Sequence, residues 1–462
     1  MTGAATSWPL VFAGRRFAVL GLGQNGLPAA TALATMGADV TAWDDDAAKR
    51  DAAASAGIVL VPPSESATLD ALVLSPGIPH RLPAPHPEAA AASARGVPIL
   101  SDVELLYRAA RAAGSRARFA GITGTNGKST TTALLAHIIG AAGIPVAAGG
   151  NLGPAALALP LLPDHGIYVL EMSSYMLERI ATMRFDAAAM LNITQDHLDR
   201  HGNMAGYEAA KAAIFARQTG ADVAVIGIDD EPSRALASRI AASPARLIRI
   251  SGAAHADVCA EGRVLRDHQG VIADLARAHA LPGSHNAQNA AAAAAIALFL
   301  GVKRATIALA LASFPGLPHR QALIATVDGV AFIDDSKATN ADAAARAFDC
   351  HDRIVWIAGG IGKEGGIESL APWFPRIDHA LLIGRDALAF AKTLEAHGVS
   401  YDIAETLDRA VPAAFGHARA RGVKTVLLSP AAASFDQFAN YGARGDRFAE
   451  LARALGNFAE AR

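Results

Sequence analysis

A glycine-rich loop standing between a strand and a helix constrains this chain more than any other feature. The segment Ile122-Thr-Gly-Thr-Asn-Gly-Lys-Ser-Thr130 follows the short apolar run at 118–121 and precedes a stretch that puts Leu134, Leu135, Ile138 and Ile139 on one helical face. Glycines there let backbone N–H groups wrap a phosphate, a lysine adds charge near the β and γ phosphates, and a serine hydroxyl suits Mg2+. A strand feeding directly into a helix in this way belongs to a parallel α/β core. Gly124, Thr125, Asn126, Gly127, Lys128, Ser129, Thr130 and Thr131 are therefore the expected ATP-binding residues. The strict pattern would have glycine at 122; here that position is isoleucine, with Gly121 one place earlier. Glu171, closing the apolar run at 167–170, stands where a metal-holding acid would.

A second glycine motif, Gly21-Leu-Gly-Gln-Asn-Gly26, lies between the apolar runs at 17–20 and 40–43, and Asp44 follows at the spacing of a ribose-binding acid. Taken alone it reads as a dinucleotide site. Its physics requires only a pyrophosphate at a helix N-terminus, which a nucleotide sugar also carries. Further strand-like runs at 71–74, 97–100, 167–170, 187–191, 223–226, 330–333, 354–357, 380–383 and 425–428 alternate with helical stretches, and Pro315-Gly-Leu-Pro318 reads as a linker. The expectation is an α/β protein of three domains: a Rossmann-like N-terminal domain at 1–101, a central P-loop ATPase-type parallel sheet at 102–316, and a C-terminal Rossmann-like α/β domain at 317–462.

Composition excludes several classes. With 41 basic and 43 acidic residues there is no global field for gripping nucleic acid. The longest apolar run, at 290–300, falls short of the roughly 20 residues a membrane span needs and reads as a buried helix. Two cysteines are too few for a disulfide framework, and the first ten residues lack the pattern of a signal peptide. A cytoplasmic enzyme without nucleic-acid or membrane partners is expected.

Five ordered segments, at 121–131, Glu171-Met-Ser-Ser174, Asn192-Ile-Thr-Gln-Asp-His197, Tyr207-Glu-Ala-Ala-Lys211 and His285-Asn-Ala-Gln-Asn289, resemble the Mur ligase family. The flanking motifs Ser75-Pro-Gly-Ile78, Pro318-His-Arg320, the stretch 334–340 and the stretch 429–438 resemble the branch that handles D-glutamate. The resemblance implies an ATP-dependent ligase, acting as a monomer, that adds D-glutamate to UDP-N-acetylmuramoyl-L-alanine through an acyl phosphate in cytoplasmic peptidoglycan precursor synthesis. It implies catalytic roles for Lys128, Glu171, His197 and Lys211, with Ser129 and Glu171 on one Mg2+ and His197 with a carbamylated Lys211 on a second. It assigns Asn286 and Asn289 to adenine, and Arg320 and Asp335 to ATP. UDP-substrate binding falls to Gly23, Gln24, Asn25, Asp44, Asp45, Ser75, Pro76 and Gly77, with Asn151 near the muramoyl group, and D-glutamate to Lys337, Thr339, Lys363 and Ser434.

Read without the family, several of these residues keep plainer roles. His197 also fits a loop histidine paired with Asp196, Asn286 and Asn289 fit capping or packing, Lys211 fits a surface helix and Lys363 a solvated turn. Other functions stay open as well: another Mur-type ligase, a folylpolyglutamate synthase-like ligase, a nicotinamide-dependent oxidoreductase built on the first glycine motif, or a P-loop ATPase whose hydrolysis drives motion.

Overall fold

Continuous apolar runs, rather than alternating ones, mark strands buried on both faces, and that is how the central strands of this protein's sheets are built. The computed structural model describes residues 7–459 apart from 67 and 364. It separates into two units, Met1–Phe314 and Pro315–Arg462.

The first unit opens with β1 (Arg16–Leu20), β2 (Asp39–Trp43), β3 (Val59–Leu60), β4 (Ala71–Leu74) and β5 (Ile99–Leu100). They form a parallel sheet in the order β3-β2-β1-β4-β5. The order reverses between β1 and β4, which opens a crevice beyond their C-terminal ends. The helix Gly26–Thr35 starts at the floor of that crevice. A Cβ on Gly26 would lie 1.7 Å from the Gly21 carbonyl oxygen, so only glycine lets the helix begin so close to the loop.

A larger sheet follows in the same unit: β6 (Arg118–Thr123), β7 (Val146–Gly150), β8 (Ile167–Glu171), β9 (Ala187–Met190), β10 (Val223–Gly227), β11 (Arg246–Ser251), β12 (Val258–Glu261), β13 (Val264–Asp267) and β14 (Gly270–Asp274). Its order is β14-β13-β12-β11-β10-β9-β6-β8-β7. Neighbours from β7 through β12 run parallel, and β13 and β14 close one edge antiparallel. The alanine-rich run becomes the helix Gly283–Phe299, whose small side chains let it pack into one core with Leu134, Leu135 and Ile138 of the helix Lys128–Ala141. The arginine-containing stretch at 101–118 forms the helix Asp102–Ala112. Its buried Glu104 carboxylate accepts from the backbone N–H groups of Ala181, Thr182 and Met183 and from the Thr182 hydroxyl, fixing the turn that follows β8 and its short helix.

The second unit contains β15 (Ala322–Val327), β16 (Val330–Asp334), β17 (Ile354–Gly359), β18 (Ile361–Gly362), β19 (Ile377–Ile383), β20 (Tyr401–Glu405), β21 (Thr425–Leu428) and β22 (Ala432–Ala433). The main sheet has the order β15-β16-β21-β17-β19-β20, parallel except for the β15–β16 hairpin, while β18 and β22 pair separately. Along β17, Trp356 and Ala358 enter one core with Phe348, and Val355 and Ile357 enter the other with Phe332 and Phe448. Both sheet faces are therefore covered by helices, among them Leu407–Arg421. Among the described residues no helix is long and apolar enough to cross a membrane, and both cysteines are free.

Candidate active site

The loop after β6 lies between the ends of β8 and β9, and Asn192, just past β9, holds it. The Thr125 N–H donates to the Asn192 carbonyl at 2.9 Å, and the Asn126 N–H to Asn192 Oδ1 at 2.8 Å. Asn192 Nδ2 returns a bond to the Asn126 carbonyl at 3.1 Å. Gly127 has φ of +85°, and a Cβ there would stand 2.3 Å from Asn289 Oδ1. Asn289 Nδ2 donates to Asn286 Oδ1 and Asn286 Nδ2 to the Pro282 carbonyl, so this pair is packed beneath the turn of the loop. Gly124 to Thr131 thus form one cradle at the head of the helix Lys128–Ala141, where backbone N–H groups and the helix dipole favour an anion.

Two lysines converge on this cradle. Lys128 Nζ donates to the carbonyls of Gly124 and Thr125 at 3.0 and 2.8 Å, and Lys211 Nζ donates to the same Gly124 carbonyl at 2.7 Å. Lys211 is only 2% exposed, lies 4.7 Å from the Tyr207 ring centroid, and is reached from a helix, Met204–Ala212. Burial, reinforced by the charge on Lys128, holds its amine well below the usual lysine range. Glu171, at the end of β8, is buried; Oε1 accepts from Asn151 Nδ2 at 2.7 Å, while Oε2 has no hydrogen-bond partner among the described residues. His197 adopts a left-handed backbone conformation with φ of +53°, and its Nε2 stands 3.4 Å from Asp196 Oδ2. Burial lowers the pKa of its ring, with Asp196 acting the other way. An orphaned buried carboxylate oxygen beside a serine-headed phosphate cradle is a hard-oxygen donor set that fits Mg2+.

The crevice between β1 and β4 has a volume of about 430 Å3. Gly23, Gln24, Asn25, Asp44, Asp45, Ser75, Pro76, Gly77 and Asn151 all line it. Asp44 also has work in the loop itself: its carboxylate accepts from the Leu22 N–H at 2.7 Å and the Asp46 N–H at 2.9 Å. Burial pushes its pKa up, but these bonds and Lys49 outweigh that and leave it lowered. Ser75 Oγ donates to the Gly21 carbonyl at 2.7 Å, joining the two loops that form the walls. Lys49 and His86 line the crevice too, and neither belongs to a motif that would single it out. Arg179, also unmarked in sequence, is buried and donates to the carbonyls of Leu74, Ser75 and Ile78, which fixes the second wall from the turn after β8. Burial, then the charge of Arg200, lowers its pKa to about 9.

In the second unit the named residues gather at the C-terminal ends of β16, β17 and β21. Asp335 Oδ2 accepts from Ser429 Oγ at 2.8 Å and its Oδ1 from the Gln321 N–H at 3.2 Å. Arg320 lies in the turn before β15, its N–H donating to the Leu317 carbonyl. Lys337 Nζ sits 3.8 Å from the Tyr441 ring centroid, and the Thr339 N–H donates to the Lys337 carbonyl. Ser434 is buried, with no partner for its hydroxyl among the described residues, and Lys363 is exposed. Arg444 was not legible as a site residue; almost wholly buried, it donates to Ser336 Oγ and to the Ser336 and Ala432 carbonyls, tying the two loops together.

Residues 122–297 match the Mur ligase middle domain, and residues 319–432 match the Mur ligase glutamate ligase domain. The chain is 49% identical over 448 residues to a UDP-N-acetylmuramoylalanine--D-glutamate ligase of Paramagnetospirillum magneticum, covering 96% of this chain and 97% of that protein. It is 47% identical over 464 residues to the enzyme of the same description from Rhodospirillum rubrum, covering 96% and 95%. Among solved structures, a UDP-N-acetylmuramate-alanine ligase, MurC, from Thermotoga maritima aligns with a TM-score of 0.60 at 19% identity over 95% of this chain and 99% of that one. MurF from Acinetobacter baumannii aligns with a TM-score of 0.59 at 22% identity, over 77% and 81%. With two successive domain matches spanning most of its length, and relatives of nearly half identity along it, the chain belongs to the Mur ligase family.

Proposed function

We propose that this protein is an ATP-dependent ligase that joins D-glutamate to UDP-N-acetylmuramoyl-L-alanine, acting as a cytoplasmic monomer in peptidoglycan precursor synthesis. Residues 1–101 serve the UDP-substrate, 102–316 the nucleotide and 317–462 the incoming amino acid. The observation that carries the reading is Asn151, which lines the first crevice and also donates to Glu171 beside the phosphate cradle. A UDP-linked substrate whose pyrophosphate rests on the Gly21–Gly26 loop then has its far end directed at the γ-phosphate of a nucleotide in the cradle.

A carboxylate is a poor acyl donor, and phosphorylation supplies the leaving group. An oxygen of the alanyl carboxylate attacks the γ-phosphorus, the bond to the bridging oxygen breaks, and ADP leaves. The amine of D-glutamate then attacks the acyl carbon, inorganic phosphate departs, and the amine gives up a proton. Lys128 and the loop N–H groups hold the triphosphate and balance the charge that builds on its oxygens. Asn286 and Asn289 support the loop and border the adenine. Glu171 with Ser129, and His197 with a carbamylated Lys211, would hold Mg2+, which offsets repulsion between the carboxylate and the phosphate. In the second unit the buried Ser434 hydroxyl, Thr339, Lys337 and Lys363 suit the two carboxylates of D-glutamate.

The test is a product assay by mass with UDP-N-acetylmuramoyl-L-alanine, ATP and each amino acid in turn. D-glutamate is expected to give a product and ADP; product with L-alanine or a diamino acid in its place would assign the chain to another branch.

A further inference from the structure

The main sheet of the second unit carries its site residues at the C-terminal ends of the strands, and a separate cluster lies at the opposite end. His379 is near the start of β19 and Asp402 near the start of the adjacent parallel strand β20. In register Asp402 pairs with Leu381, so His379, two residues earlier, shares its face. The helix Leu407–Arg421 covers that face and brings His417 over it. His379 Nε2 and His417 Nε2 stand 3.0 and 3.1 Å from one and the same atom, Asp402 Oδ2, and the two rings stack with centroids 3.8 Å apart. One ligand atom from each of the three residues lies within 4.8 Å of the others.

We propose that His379, Asp402 and His417 form a binding site for a divalent transition metal, Zn2+ being the ion the donor set fits best. Two imidazole nitrogens and one carboxylate oxygen are the borderline ligands that Zn2+ takes, with the fourth tetrahedral position left to water. The ligands come from two strands and a helix, so a bound ion would fasten all three elements. His379 already has the outer partner that such a ligand needs: its Nδ1 lies 2.9 Å from Ser400 Oγ. With the ring proton on Nδ1 and donated to that hydroxyl, Nε2 presents its lone pair to the ion. Arg421, whose charge also acts on the His379 ring, is engaged by Asp378 at 3.3 Å, and Arg353 pairs with the same carboxylate.

The test uses the full chain, stripped of metal and titrated with Zn2+ by calorimetry, alongside His417→Ala and Asp402→Asn. Both substituted side chains are partly exposed, 30% and 60%, so these variants keep the fold. His255, Cys259 and Glu261 in the first unit offer another place for Zn2+, so the comparison between proteins is what decides. Wild type is expected to bind one equivalent more than either variant, or to bind it at least about tenfold more tightly. Zn2+ should also raise the unfolding temperature of wild type by more than that of the variants. Co2+ should give wild type a tetrahedral visible spectrum that the variants lose. Equal stoichiometry, equal affinity and equal thermal shifts in all three proteins would overturn the site and leave a carboxylate shared by two imidazole hydrogen bonds.

Discussion

Lys211 is the residue whose surroundings say most about its chemistry. Its buried amine and that of Lys128 share one carbonyl oxygen, and two ammonium groups so placed repel each other. An amine held below the usual lysine range is also the neutral nucleophile that adds CO2, and the resulting carbamate is an anionic oxygen donor. Lys211→Ala should therefore lower kcat by roughly a hundredfold or more, as loss of a single positioned electrostatic group does. A short carboxylic acid added to the assay should restore part of it by filling the gap. Full activity in the variant would show that Lys211 holds no metal. At this scale spacing and context told where Lys128 and Glu171 would lie, one opening the helix after β6 and the other closing β8. The sequence was silent on Lys49, His86, Arg179 and Arg444, single residues whose partners come from distant segments, so that only the folded chain shows what they hold.

At the scale of elements, Asp335 joins the ends of β16 and β21: its N–H donates to the Leu428 carbonyl and its carboxylate accepts from Ser429. Burial pushes its carboxyl up to about 7, against the lowering effects of the Ser429 bond and the Arg320 charge. An unfolded chain would release that proton near 3.8, so the folded state binds the proton more tightly. The contribution is whole below about pH 4 and is lost as pH rises to about 7. Asp335→Asn removes the titration, so its stability relative to wild type should rise across that window, by up to about 1.4 kcal/mol per pH unit. Denaturant unfolding of the second unit across the window checks this, and a pH-independent difference would contradict it. About half of the strands were legible: the apolar runs at 71–74 and 425–428 coincide with β4 and β21. Several of those that were not have physical reasons. β7 is alanine and glycine for four of its five residues, β3 is two residues long, and β11 sets charged residues against apolar ones at an irregular period. The run at 97–100 yields only Ile99–Leu100 because Pro98 has no N–H to give a ladder.

Across the whole molecule, the proposed chemistry depends on two nucleotide-type loops in the first unit that share one bridging residue. Gly21–Gly26 and Gly124–Gly127 each close a strand-to-helix turn, and Asn151 with Glu171 lies on the path from one to the other. A nicotinamide-dependent oxidoreductase would have no use for the second loop, and a motor ATPase none for the first. The central claim is that the alanyl carboxylate is phosphorylated by ATP before the amine attacks. It is tested most directly by labelling that carboxylate of UDP-N-acetylmuramoyl-L-alanine with 18O, running the reaction with ATP and D-glutamate, and analysing the inorganic phosphate by mass. The account predicts one 18O in each phosphate released, because the oxygen that attacked phosphorus leaves with it. Phosphate free of 18O, formed alongside ligated product, would contradict an acyl phosphate.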